Sequence, residues 1–398
     1  MGLMTETEVE LNRERQEAAR HYARLRRRLT LLDLGLSTIY LLLWLLLSWT
    51  HQFQTALVGW LGGTAPWWLS LLLTAAAMAL PYGLLTSPLS YYRGYILPHR
   101  FELSTQSLAD WLVDQLKGMA LSLVLGVPLL IGFYAVIRAA PATWWLWAAG
   151  LYTLVSVILA ALAPVLLLPI FYNLTPLGEP YEQLRQRLVE LARSAGTRVE
   201  GVFEIDMSRR TKAANAALTG LGKTRRILLG DTLLERFEQD EIETILAHEL
   251  AHHVHGDIPL GMAIQSALNF VSFLVLYLGF RSLLQPLGLV SQADPAGLPL
   301  VALLLGAFGL ITMPLSNAYS RWREWLADEY ALNLTRKPRA FSSAMTRLAN
   351  QNLAEVNPEA WVVWLLYSHP PLSQRLEHAS QKQEYFEGQK TQAAAVEQ

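Results

Sequence analysis

The sequence predicts a mainly α-helical polytopic membrane protein of about six transmembrane helices, with a small α+β domain on its cytoplasmic side. Three observations predict it. Long apolar stretches recur in a chain that is 52% hydrophobic and only 16% charged, with 13 Trp, whereas soluble domains average about 25% charged. The intervening segments alternate between ones that carry Lys and Arg and ones almost free of them, the pattern of the positive-inside rule. One long polar block, 171–259, interrupts the apolar runs and carries short β-branched stretches.

The elements follow in order. Residues 1–28 form a basic cytoplasmic segment ending in Arg26-Arg27-Arg28, either a solvated helix or an anchor beside the first span. Transmembrane helices 1–4 occupy 29–170. The first runs over 29–49, and the loop 50–66 has no Lys or Arg and is external. The second, 67–89, is long enough for the ~30 Å hydrocarbon core, with Pro81 and Pro88 kinking its inner half. Residues 91–117 return Arg93, Arg100 and Lys117 and hold a cytoplasmic amphipathic helix capped by Ser104. The third and fourth spans are 118–136 and 144–170, the latter broken by Pro164 and Pro169. In the cytoplasmic block 171–259, residues 181–195 are an amphipathic helix burying Leu184, Leu188 and Leu191, and 202–206, 215–219 and 226–229 are strands. Transmembrane helices 5 and 6 fall within 260–319, the fifth carrying Gln265 and Asn269 toward protein or a cavity. Residues 320–383 are a cytoplasmic helical segment, and 384–398 a disordered tail. Six spans place both termini on one side.

The chemistry centres on His248-Glu249-Leu250-Ala251-His252, inside a helix over 235–253 that has no Pro or Gly. Positions four apart share a helical face, so His248 and His252 present two imidazoles to one zinc ion. Glu249, rotated by roughly 100°, borders the metal without ligating it, where a general base belongs. A chance match in a chain this long is on the order of one in a hundred; otherwise the stretch is an ordinary polar surface helix. With no Cys in the chain, a metal must use His and carboxylate. Catalytic zinc needs three protein ligands and one open position. Glu324 supplies the third, and Asp328, four residues on, accepts the free ring N–H of a ligand histidine. The plainer reading of that pair is charge on a solvated helix, with Arg321 pairing locally. These features make the block a zincin-like catalytic domain.

With these residues in view, the chain resembles the integral-membrane zinc metalloproteases typified by the CAAX prenyl endopeptidase. The likeness rests on His248-Glu249-x-x-His252 with Glu324-x-x-x-Asp328, and on Asp206-x-Ser208-x-Arg210 leading into Asn215-Ala216 and Gly220. It extends to Lys223-Thr224-Arg225-Arg226-Ile227-x-Leu229, to Pro164, Pro169 and Thr175-Pro176-Leu177, and to His369-Pro370-Pro371-Leu372 with Arg375. The resemblance implies one Zn2+ per chain on His248, His252 and Glu324, with Glu249 as base. It also implies that His369 stabilises the tetrahedral oxyanion and that Arg375 lies near the metal. Asn215 and Ala216 would hold the substrate backbone as an edge strand. Apart from that resemblance, Asn215 reads as a turn residue, and the segment of His369 and Arg375 as a helix start after Pro370-Pro371. His253 and His255 point off the ligand face.

The expected activity is hydrolysis of peptide bonds near the cytoplasmic membrane face, on a peptide or protein substrate, lipidated or not, in contact with the bilayer. A quality-control protease for non-prenylated or misfolded membrane proteins shares every one of these features. A transporter or a metal-binding scaffold is the reading from another class. Net charge of −1 gives no argument for nucleic acid. Short loops and the lack of the additional first span of the eukaryotic members point to a bacterial inner membrane, or an endoplasmic-type one in a eukaryote.

Overall fold

The computed structural model describes residues 9–62, 65–220 and 225–396. Among them, six helices are long and apolar enough to cross a membrane: Arg13–Leu46, Trp67–Arg100, Leu108–Ala139, Trp144–Phe171, Asp257–Leu283 and Pro295–Thr335. A separate four-stranded sheet and its helices make up the remainder. The chain is a polytopic membrane protein with an α+β domain.

Helix α1, Arg13–Leu46, opens where the Asn12 side chain accepts from the N–H of Arg15, satisfying one of the free donors at a helix start. From Arg13 on, the basic segment and the first span are thus one helix, and this part of the segment is not simply solvated. Arg15 Nε donates to Asn350 O (2.9 Å), Gln16 Nε2 to Ala354 O (3.2 Å), and Arg27 pairs with Glu355 at 3.0 Å. The segment read as an external loop holds helix α2, Trp49–Trp60, tied to the next span by Gln54 bonded to Ser70 and Thr74. Helix α3, Trp67–Tyr91, runs through a π-helical turn, Tyr92–Ile96, into α4, Leu97–Arg100. The amphipathic helix expected from Ser104 is instead the first turns of α5, Leu108–Ala139, capped by Ser107, whose hydroxyl accepts from Asp110 N at 3.1 Å. Nothing between Lys117 and Gly118 stops the helix, so amphipathic turns and membrane span form one rod. Helix α6, Trp144–Leu162, passes through a second π-helical turn, Ala163–Leu167, into α7, Leu168–Phe171. Pro164 and Pro169 lack the N–H that regular turns need, and the wider turn absorbs the loss.

The sheet has the order β1-β2-β4-β3, from β1 Leu174–Pro176, β2 Gly201–Ile205, β3 Ala216–Thr219 and β4 Arg226–Gly230. β2 and β4 are parallel, and β1 and β3 flank them antiparallel. β1 escaped the sequence reading because three residues ending in Pro176 carry no alternation. Helix α8, Glu182–Ser194, lies before β2 and buries Leu184, Leu188 and Leu191. After β4 comes the short α9, Asp231–Leu234, and the helix expected over 235–253 is α10, which begins only at Gln239 and runs to Val254. A capping box starts α10: the Glu238 N–H donates to Glu241 Oε2 (2.8 Å), and the Glu238 side chain receives the Glu241 N–H. Ile245, Leu246 and Leu250 of α10 share one core with Ile227 and Leu229 of β4 and Leu184 of α8.

Gly256, at φ +67°, turns the chain from α10 into α11, Asp257–Leu283, a conformation that glycine adopts without strain. Helix α12 is Leu298–Thr335, 38 residues with Pro314 inside. The sixth span does not end near 315–320 as expected; it continues unbroken through Glu324 and Asp328. Helices α13 (Pro338–Asn352), α14 (Ala360–Leu366) and α15 (Leu372–Val396) complete the chain. The tail expected to be disordered from 384 continues α15, because Phe386 is buried under Arg336 and Glu387 pairs with Arg339. A second core lies among the spans, where Ile137, Trp144, Phe273, Phe280 and Leu300 pack together. Gln265 Nε2 donates to Asn269 Oδ1 (3.0 Å), and the buried Asn269 reaches Thr153 of α6 at 3.4 Å. The polar pair therefore joins two spans.

Candidate metal centre

α10 brings His248 and His252 to one side, with ring centroids 5.0 Å apart. α12 packs against it and delivers Glu324 between them. Glu324 Oε2 lies 3.1 Å from His248 Nε2, and Oε1 lies 3.6 Å from His252 Nε2. One ligand atom from each of the three residues falls within 4.8 Å of the other two. Each imidazole is held from behind. His248 Nδ1 stands 2.8 Å from Asp328 Oδ1, and His252 Nδ1 2.7 Å from Asp257 Oδ2. With each Nδ1–H donated to a carboxylate, both Nε2 lone pairs face Glu324.

These residues fit a divalent ion. Glu324 Oε2 is buried and makes no hydrogen bond despite the nearby imidazole nitrogen. A buried carboxylate oxygen left in that state is costly unless a cation completes it. Two imidazoles and a carboxylate are the donor set that leaves a catalytic ion one open position. Burial alone would lower the His248 pKa, but the Asp328 and Glu324 carboxylates outweigh it and raise it to about 9. A metal ion takes the place of that proton. Glu249, on the next helical position, has its pKa raised by burial, against the opposing pull of the His248 and His252 rings.

Further supports come from α12 and the C-terminal helices. Asp328 is fully buried, and Arg375 grips both its oxygens, Nε to Oδ2 at 2.7 Å and Nη2 to Oδ1 at 2.5 Å. His369 is exposed, with Nε2 3.4 Å from Glu324 Oε1. Arg321 does not pair locally: it donates to the carbonyls of Val363 (2.9 Å) and Tyr367 (2.6 Å), and Asn317 donates to Leu365 O (2.8 Å). α12 thereby fixes the loop that carries His369. The sequence reading missed Asp257 and its partner Arg323, which bonds Asp257 Oδ1. Asp257 reads in sequence only as a residue after a helix-ending glycine, five places from His252, off the four-residue period.

β3 stands at the sheet's edge. Asn215, just before it, has its carbonyl committed to the N–H of Gly230 at 2.9 Å, so its backbone points into the sheet. Ala216 is the first strand residue and faces outward. His253 Nε2 donates to Leu218 O at 3.3 Å, and the His255 ring packs against Tyr330. Lys223 and Thr224 lie outside the described residues.

Comparison with known proteins agrees with this architecture. Residues 179–383 match the model of peptidase family M48, and residues 5–173 match the one described as CAAX prenyl protease N-terminal, five membrane helices. An uncharacterised metalloprotease of Bacillus subtilis, YhfN, is 31% identical over 304 residues, 75% of this chain and 71% of that protein. CAAX prenyl protease 1 of Saccharomyces cerevisiae is 32% identical over 309 residues, 73% of this chain and 67% of its own. The crystal structure of S. mikatae Ste24p shares the fold, with a TM-score of 0.81 at 24% identity, covering 95% of this chain and 91% of that one. The chain belongs to peptidase family M48 and is an integral-membrane metalloprotease.

Proposed function

We propose that the chain is a zinc endopeptidase that cuts peptide tails at the membrane surface, with His248, His252 and Glu324 as the ligands. The observation that carries this reading is the buried Glu324 carboxylate, with an oxygen that makes no hydrogen bond, facing two Nε2 atoms whose rings are locked from behind. Two imidazoles and one carboxylate are a donor set of catalytic zinc in peptidases. When bound, zinc polarises the scissile carbonyl and makes water acidic enough to attack near neutral pH.

Glu249 accepts the proton of the attacking water and passes it to the departing amine. Its raised pKa places it nearer the operating pH than an exposed carboxylate. His369 reaches toward Glu324 from the open side and donates to the oxygen of the tetrahedral intermediate. Asp328 and Asp257 hold the ligand imidazoles, and Arg375 holds Asp328. Ala216, on the sheet edge, bonds the backbone of an extended substrate.

The substrate class is a membrane-bound peptide, with a prenylated tail as the first candidate because of the likeness to CAAX prenyl protease 1. The basic residues of α1 support a reading in which the N-terminal end and the metal centre face the cytoplasm, in a bacterial inner membrane. The test is zinc content of the purified protein together with cleavage of a farnesylated CAAX peptide and its unmodified form. One zinc per chain and turnover of the farnesylated peptide are expected. Equal turnover of both forms moves the substrate to non-prenylated membrane proteins; stoichiometric protein without zinc or cleavage removes the assignment.

A further inference from the structure

β3 has one free side, and its hydrogen-bonding phase is set by a single bond. The Gly230 N–H donates to Asn215 O, and the register pairs Ala217 with Leu228 and Thr219 with Arg226. In an antiparallel pair, residues alternate between facing the partner and facing away. Ala216 and Leu218 therefore direct their N–H and C=O groups outward, toward α10. Of these outward groups, the Leu218 carbonyl is already taken: His253 Nε2 donates to it at 3.3 Å. Among the described residues no hydrogen bond is made to the Ala216 N–H or C=O.

An extended peptide added to an edge meets it in steps of two residues and exchanges two bonds at each facing residue. At Ala216 both bonds are available. At Leu218 only the N–H is, because His253, the residue after a ligand histidine, fills the acceptor. The imidazole donates from Nε2 whether or not Nδ1 carries a second proton, so the block does not depend on pH. An incoming N–H opposite Leu218 is left without its acceptor, which costs binding; a residue without an N–H there loses nothing.

We propose that His253 is a positioning residue that sets substrate specificity: by occupying the Leu218 carbonyl it restricts backbone pairing to Ala216 and favours peptides whose residue facing Leu218 has no N–H, such as proline. The proposal rests on the reading of Ala216 as the substrate-binding edge.

The experiment uses the full-length, zinc-loaded protein and whichever of the farnesylated and unmodified CAAX peptides it cleaves. Backbone nitrogens around the scissile bond are methylated one at a time. In the wild-type protein, methylation at the nitrogen facing Ala216 raises KM about three- to tenfold, and methylation two residues away, at the nitrogen facing Leu218, lowers it. His253→Phe and His253→Ala release the Leu218 carbonyl. The KM of the unmethylated peptide then falls about two- to tenfold with kcat unchanged, and the tolerated position becomes sensitive. His253→Gln, which keeps a donor, restores the wild-type pattern. Unaltered methylation profiles in either zinc-loaded, folded variant overturn the role of His253. Failure of the zinc-loaded wild-type protein to cleave either peptide is a different outcome: it removes CAAX tails as the substrate, and this proposal with them.

Discussion

His252 and Asp257 meet across the turn between two helices, Nδ1 to Oδ2 at 2.7 Å. Gly256 makes the meeting possible by reversing the chain at φ +67°, and Arg323 from α12 holds the other carboxylate oxygen. The imidazole is thereby fixed in one tautomer. Asp257→Ala is expected to weaken metal binding by about 10- to 100-fold, measured by competition with a chromophoric chelator. Affinity equal to wild type would leave Asp257 as a helix cap and nothing more.

Glu249 lies beside the metal ligands without being one. Glu249→Gln keeps size and hydrogen bonding but cannot take a proton. It is expected to retain one metal per chain while kcat falls by about 10²- to 10⁴-fold. Metal analysis and turnover on the same preparation check this, and undiminished kcat excludes Glu249 as the base.

Asp328 and Arg375 form a pair with side chains 0% and 11% exposed. Asp328→Asn strands a buried guanidinium and loosens His248 at once. The expected loss of stability is about 3–5 kcal/mol, read by thermal unfolding of the metal-free protein. The double variant Asp328→Asn with Arg375→Met should recover part of it, since the stranded charge is gone.

Chelation of the metal should act on folding as well as on activity. An ion present at about a thousandfold excess over its dissociation constant stabilises the folded state by about 4 kcal/mol. Its removal should lower the thermal midpoint and abolish cleavage, and added zinc should restore both. An unchanged midpoint after verified metal loss would mean that the three ligands do not hold the ion in the folded state.

The elements legible in the sequence were those that repeat a local rule. The apolar runs mark the six long helices, and the four-residue spacings of His248 with His252 and Glu324 with Asp328 place each pair on one face. Leu184, Leu188 and Leu191 fall on the buried face of α8 as their spacing predicts. What escaped depends on chain that is distant or off-period. Asp257 sits five residues from His252 and meets it only because Gly256 bends the chain. Arg321 finds its partners some forty residues later, at Val363 and Tyr367. The docking of Arg15 and Gln16 on the end of α13 spans most of the chain, and no local pattern announces it. Boundaries failed where a helix simply carried on, at α1, α5 and α12, because hydropathy changes along a helix without ending it.

α12 carries Glu324 and Asp328 on the same unbroken rod that begins at Leu298. At 1.5 Å per residue it is about 57 Å long, against a hydrocarbon core of about 30 Å. The carboxylates are thus mechanically continuous with a lipid-embedded shaft. A slide of that shaft by a single residue carries Glu324 about 1.5 Å, several times the tolerance of a metal–oxygen bond. A lipid or detergent belt thick or thin enough to slide that shaft would therefore act directly on the geometry of the ion's shell.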